Sequence, residues 1–146
     1  MKWKFAVPIL LTLSCLAQEK PAPAVEEAVA PVYPELAVLG RIAGSVIVAI
    51  HVSERGAVAE ANIVEGESLL RQASLDAARQ WRFSQQAGAS ELKLIFSYKL
   101  MAKGTPEAEL GTIFRPPYTV EVRRINPGPV HHYAQAGRPE RDKHPD

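Results

Sequence analysis

Apolar and polar side chains alternate from Val46 to Ser53: Val46, Val48, Ile50 and Val52 take one face, and Ile47, Ala49, His51 and Ser53 the other. Period two with β-branched enrichment predicts a strand. Glu54-Arg55-Gly56 follows as a hairpin connection, with glycine where a positive φ is needed. The return strand, Ala57 to Val64, alternates less cleanly, because Val58 is out of phase with Ala61 and Ile63. A bulge near Ala59-Glu60 brings all three to one face. After Ser68, read as an N-cap, Leu70, Ala73, Ser74, Ala77, Ala78 and Trp81 recur at three- and four-residue steps. Arg71, Gln72, Asp76, Arg79 and Gln80 take the opposite side, so an amphipathic helix is predicted. Its alanine-rich face suits close packing on a sheet, with Trp81 and Phe83 supplying bulk at its end. Glu91 to Leu100 alternates most cleanly: Leu92, Leu94, Phe96, Tyr98 and Leu100 share a face, and only Ile95 breaks the pattern. Upstream, Pro34 suits the first turn of a short helix, predicted over Glu35 to Ile42 with Leu36, Leu39 and Ala43 inward. The order helix, strand, strand, helix, strand predicts an α+β domain, with a small antiparallel sheet of three strands packed on two helices.

Beyond Leu100, Thr119 to Arg123 alternates again, between Pro116-Pro117 and Asn126-Pro127. A fourth strand over 119–124 is predicted. It is expected to pair with the open edge of Glu91 to Leu100, since an uncovered edge invites aggregation. The expected division is a core over 33–100, an extension over 101–127 and a disordered tail over 128–146.

The N-terminus carries an address. Met1 to Lys4 is a short positive start, Phe5 to Leu16 an apolar run, and Cys15-Leu16-Ala17 offers small residues before a cut after Ala17. This is the three-part pattern of a secretory signal peptide over 1–17, and the run is too short to span a membrane. Thr12-Leu13-Ser14-Cys15 also approximates a lipoprotein box, with Cys15 as the lipidated residue, so both processing routes stay open. Gln18 to Val32, rich in proline and alanine, is expected to be an extended linker reaching at most about 45 Å.

Composition narrows the chemistry. The 146 residues carry a net charge of +1 with scattered arginines, so nothing marks a nucleic-acid surface. Twelve prolines fall mostly outside the core, and the single cysteine leaves the core cysteine-free. No nucleophile elbow, phosphate loop or paired carboxylates appear, so no enzyme and no cofactor is expected. His131 and His132 lie in a proline- and glycine-rich tail with only His144 near, too few ligands for a metal site. His51 reads as a partly buried strand residue.

Tyr33-Pro34, Gly44-Ser-Val-Ile-Val, Gly56-Ala-Val, the helix from Leu69 ending in Trp81-Arg82-Phe83, and Leu94-Ile-Phe96 together resemble the TonB C-terminal domain family. The helix ending is the most specific element, and the resemblance covers Tyr33 to Leu100. It implies a partner-binding module without catalytic residues, in which an edge strand pairs with a short receptor segment by β-augmentation. Carried over, the receiving strand is Glu91 to Leu100, with Leu92, Leu94, Phe96 and Tyr98 as partner-binding residues. The resemblance further implies a periplasmic location, and a protein or peptide partner such as a TonB-dependent outer-membrane receptor. A homodimer is left open, and a membrane is implied only if Cys15 is lipidated or the N-terminal segment is kept. Full-length relatives carry a membrane anchor with a motor-facing histidine and a long proline-rich spacer. The N-terminal segment here is short and without histidine, and about 45 Å of linker does not cross the periplasm. Three readings follow: an adaptor auxiliary to outer-membrane transport, an energy transducer anchored by its N-terminal segment, and an envelope structural protein lipidated at Cys15.

Overall fold

A computed structural model describes residues 21–85 and 89–129. The expected signal segment with Cys15, and the tail with His131, His132 and His144, lie outside the described residues. The elements in order are β1 (Val25–Glu27), α1 (Glu35–Leu39), β2 (Gly44–Val52), β3 (Val58–Glu65), α2 (Ser68–Arg79), β4 (Arg82–Phe83), β5 (Ser90–Met101), β6 (Gly111–Arg115) and β7 (Thr119–Ile125). A single 3-10 turn, Glu107–Glu109, precedes β6. The main sheet runs β3-β2-β5-β7-β6, and β1 pairs with β4 in a separate ribbon. The α+β class with two helices stands, and the sheet is mixed, because β5 and β7 run parallel while the other neighbours are antiparallel.

The alternation in β2 and β5 has the expected consequence. Val46, Val48, Ile50 and Val52 of β2 are buried together with Leu94, Phe96 and Tyr98 of β5. Leu70, Ser74, Ala77 and Ala78 of α2 close over that face. Between β2 and β3 the register jumps from His51↔Glu60 to Val52↔Val58, so Ala59 is the extra residue of a bulge. That bulge brings Val58, Ala61 and Ile63 to the core side. Gly56 closes the hairpin at φ 80, and a Cβ there would lie 1.8 Å from the Phe83 carbonyl oxygen, so only glycine fits.

Trp81 is the hub of the core. It is fully buried, with ring centroids 5.9 Å from Phe83 and 6.1 Å from both Phe96 and Phe114. Its indole N–H donates to the Val29 carbonyl at 2.9 Å. A buried indole needs such an acceptor, and that need alters the expected linker. Within Gln18 to Val32, the described part from Pro21 is docked and not free. Ser84 N–H donates to Ala24 O at 2.8 Å, and Tyr118 O–H donates to Pro23 O at 2.8 Å. Val25 and Val29 pack on the core. A proline-rich segment has no amphipathic periodicity, yet its carbonyls and small side chains suit it to wrap a core that presents donors.

Three local expectations change. α1 ends at Leu39, and Arg41 takes φ 56 in the turn that follows. Leu36 and Leu39 are exposed, whereas Tyr33 and Ala37 are buried; the Tyr33 hydroxyl donates to Ile42 O at 2.7 Å and fixes the phase. Ser68 is the first helical residue of α2, not its cap. Glu67 holds the cap position and makes no side-chain cap hydrogen bond. Lastly, β6 was not expected. It lies between β5 and β7 in the chain, forms a hairpin with β7, and takes the outer position of the sheet.

Candidate functional site

The expected receiving strand is β5, and its four marked residues sit on the helix face. Leu94, Phe96 and Tyr98 are buried and Leu92 is partly buried. The Ser74 hydroxyl donates to Leu70 O at 2.9 Å and lies 2.8 Å from the Tyr98 hydroxyl, so the tyrosine proton is the one shared. Burial pushes the Tyr98 phenol up to about 12. These side chains are core, and what β5 has to offer a partner is its backbone.

That backbone is largely engaged. β2 pairs with β5 from Val52↔Ser90 to Gly44↔Tyr98, and β7 covers the other side from Ile95↔Thr119 to Met101↔Ile125. β5 is therefore a central strand over Ile95 to Met101, as the expected pairing of 119–124 with its edge requires, and the receiving edge that the resemblance implied is occupied there by the chain itself. At the start of that pairing the Ile95 N–H donates to Tyr118 O at 3.0 Å. The same tyrosine ties down the N-terminal arm through Pro23, so arm and hairpin meet at one residue.

An internal charge cluster fixes the hairpin. Glu121 of β7 is 4% exposed, on the face away from the helices. Lys99 Nζ lies 2.9 Å from its carboxylate, Arg115 Nε 3.5 Å, and Arg123 Nε donates to the other oxygen. Three cations, one each from β5, β6 and β7, thus converge on one carboxylate. Its ionisation is held down to about 2, mainly by the Lys99 hydrogen bond and further by Arg123, against the opposing effect of burial. Sequence reading missed this cluster. The Glu121–Arg123 alternation was visible, but Lys99 and Arg115 come from separate strands.

The outer strands are now β3 and β6, and they differ. β3 carries bulges at both ends of its pairing and the acids Glu60 and Glu65, devices that discourage strand addition. β6 pairs with β7 in unbroken register from Gly111↔Arg123 to Arg115↔Thr119. In an antiparallel pair half of an outer strand's N–H and C=O groups point outward. Beside them stands Phe114, 41% exposed, its ring edge-on to Trp81. β6 thus offers an unprotected row of backbone groups with an apolar side chain connected to the core.

Among the described residues, no three histidines, cysteines or acids are grouped to hold a metal. No described helix is long and apolar enough to cross a membrane. The family model for the Gram-negative bacterial TonB protein C-terminal domain matches residues 29–100. No curated protein matches the chain.

Proposed function

We infer the function from the chain's membership, through residues 29–100, of the TonB C-terminal family, a periplasmic, transport-related family without catalytic activity. Its domains interact with proteins such as outer-membrane receptors. In this chain the reading we put forward is an exported adaptor that takes an extended segment of an envelope protein by strand addition, at β6 and not at β5. The observation that carries it is the parallel pairing of β7 with β5, which uses the inner edge from Ile95 to Met101 and there moves the free one outward by two strands. Backbone hydrogen bonds along Gly111 to Arg115 would supply affinity, and contact with Phe114 selectivity.

Site-specific photo-cross-linking in cells tests this. A cross-linking side chain at Thr112 is expected to trap an outer-membrane receptor, whereas the same group at Ala59 of β3 traps none. Receptor adducts from position 59 with none from 112 would sink the proposal.

A further inference from the structure

The family match runs from residue 29 to residue 100, and the two segments outside it meet each other. The Tyr118 hydroxyl, from the extension, donates to Pro23 O, from the arm, at 2.8 Å across 95 positions of sequence. Three further points hold the arm. Ser84 and Ala24 exchange two hydrogen bonds, Ser84 N–H to Ala24 O at 2.8 Å and Ala24 N–H to Ser84 Oγ at 3.1 Å. β1 pairs with β4 through Val25↔Phe83 and Glu27↔Arg82. The Trp81 indole N–H takes Val29 O. Pro23 and Pro31 are buried at the two ends of this stretch, and Val25 and Val29 are half-buried between them.

Both ends of the arm reach the β6–β7 hairpin through an aromatic residue. Tyr118, one position before β7, gives its hydroxyl to the arm, and its carbonyl accepts from Ile95 N–H, the bond that opens the pairing of β7 with β5. Its ring stands 6.2 Å from that of Phe83. Trp81 gives its N–H to the arm and sets its ring 6.1 Å from Phe114 of β6. β4 is pinned from its other side, by Phe83 N–H to Gly56 O at 2.8 Å, so it stays with the β2–β3 turn when the arm leaves. Loss of the arm therefore strands two donors, and both belong to residues that brace the hairpin. A buried donor left without an acceptor is costly, and a ring that turns to find one gives up its place against Phe114 or Ile95.

We infer that the arm is a latch on the β6 edge. Seated, it holds Gly111 to Arg115 in the register that takes an added strand; unseated, it lets that edge fray. The inference rests on the reading of β6 as the receiving strand. A segment held by backbone carbonyls and two half-buried valines opens more readily than the core beneath it, so the seated and unseated arm are the two states of the device. Coupling of this kind is reciprocal. A strand added at β6 tightens the arm, and a cut in the exposed stretch from Glu26 to Ala28 weakens the edge.

Amide exchange of the full chain carrying Val25→Asp with Val29→Asp tests the coupling without a partner, since two charges at half-buried positions unseat the arm. Exchange along Gly111 to Arg115 and Thr119 to Val122 is expected to quicken about tenfold or more, with β2 and β3 unchanged. Phe114→Ala, on the outermost strand, runs the coupling in reverse: the Trp81 indole N–H should exchange several times faster. A hairpin that keeps its rates while the Ser84 N–H quickens overturns the inference, and so does an indole N–H indifferent to Phe114→Ala. Should the double variant unfold outright, with β2 quickening as much as β6, the Phe114→Ala result decides alone. Photo-cross-linking from Thr112 separates the latch from the reading beneath it. Receptor adducts should fall about tenfold in the double variant, and equal yields from the two chains would sink the latch. No adduct from the unmodified chain would refute the receiving role of β6 and not the coupling, which the exchange rates decide.

Discussion

Replacing Glu121 by glutamine removes a buried negative charge and keeps the side chain's shape. Three cations then face one another across β5, β6 and β7 with nothing between them. The size of the effect follows from the carboxyl's ionisation. A group held at about 2 against an ordinary 4.5 corresponds to about 3 kcal/mol of preference for the folded charged form, at about 1.4 kcal/mol for each tenfold. Lys99 and Arg115 are about half exposed, and water weakens their contribution, so about 1–2 kcal/mol is the expected loss at neutral pH. The sign of the pH dependence is fixed by the direction of the shift. Because the folded value is depressed, the contribution is fully present above about 4.5 and disappears as pH falls through about 2.

The assay is urea unfolding of the natural and Glu121→Gln chains across that window. A gap of about 1–2 kcal/mol is expected at pH 7, narrowing below pH 4.5 and closing near pH 2. Amide exchange along Thr119 to Ile125 should quicken in the variant more than exchange along β2, since the lost contacts hold the hairpin. Equal stability of the two chains at pH 7, or a gap that persists unchanged in acid, would refute the reasoning.

Trp81→Phe keeps an aromatic ring but loses the donor to Val29 O; a loss of about 1–3 kcal/mol is expected, with faster proteolysis ahead of Pro31 as the arm loosens. Gly56→Ala adds a Cβ 1.8 Å from Phe83 O at a positive φ, and should cost more than about 3 kcal/mol in thermal or urea unfolding, while Gly104→Ala, with open space around it, costs only the strain of its φ. Tyr98→Phe removes the contact with Ser74 and should cost about 1 kcal/mol at neutral pH. The Tyr98 phenol, raised from 10.0 to about 12, stabilises the fold below pH 10 and ceases to as pH rises through 12. Alkaline unfolding of the natural chain should therefore be steeper than that of Tyr98→Phe over that interval.

What sequence could and could not reveal divides along physical lines. β2 and β5 were legible because each has one wholly apolar face, and a single residue's slip would turn that face to water. The same logic made the bulge at Ala59 legible from the phase of Val58. α1 was misread in phase because five residues give little periodicity, and its apolar Leu36 and Leu39 outweighed the small buried Ala37. β6 escaped notice because an outer strand has no need to alternate: Ile113 and Phe114 are adjacent, on opposite faces, and neither is fully buried. The candidate site was legible only in part. Pairing of 119–124 with β5 followed from the need to cover an edge, but its parallel direction came from the connection through β6, which periodicity did not mark. The arm was invisible for another reason: its anchors are backbone carbonyls, which every residue carries.

The hairpin also bears on how a partner could bind. A segment that displaced β7 would regain the backbone hydrogen bonds of β5 but would have to expose Val120 and Val122, both buried, at roughly 1.5–3 kcal/mol each. It would strand Lys99 without Glu121, and would release Tyr118 from Ile95 and Pro23 together. An intruder of equal length that offers the same backbone pairing starts several kcal/mol behind, before the entropy of its own ordering is counted. Addition to β6 carries none of these losses, because Gly111 to Arg115 already stands outermost and Phe114 already meets water. Competition at β5 therefore favours the strand that is covalently present, and a partner that adds a strand in the way proposed would do so along the far side of the hairpin.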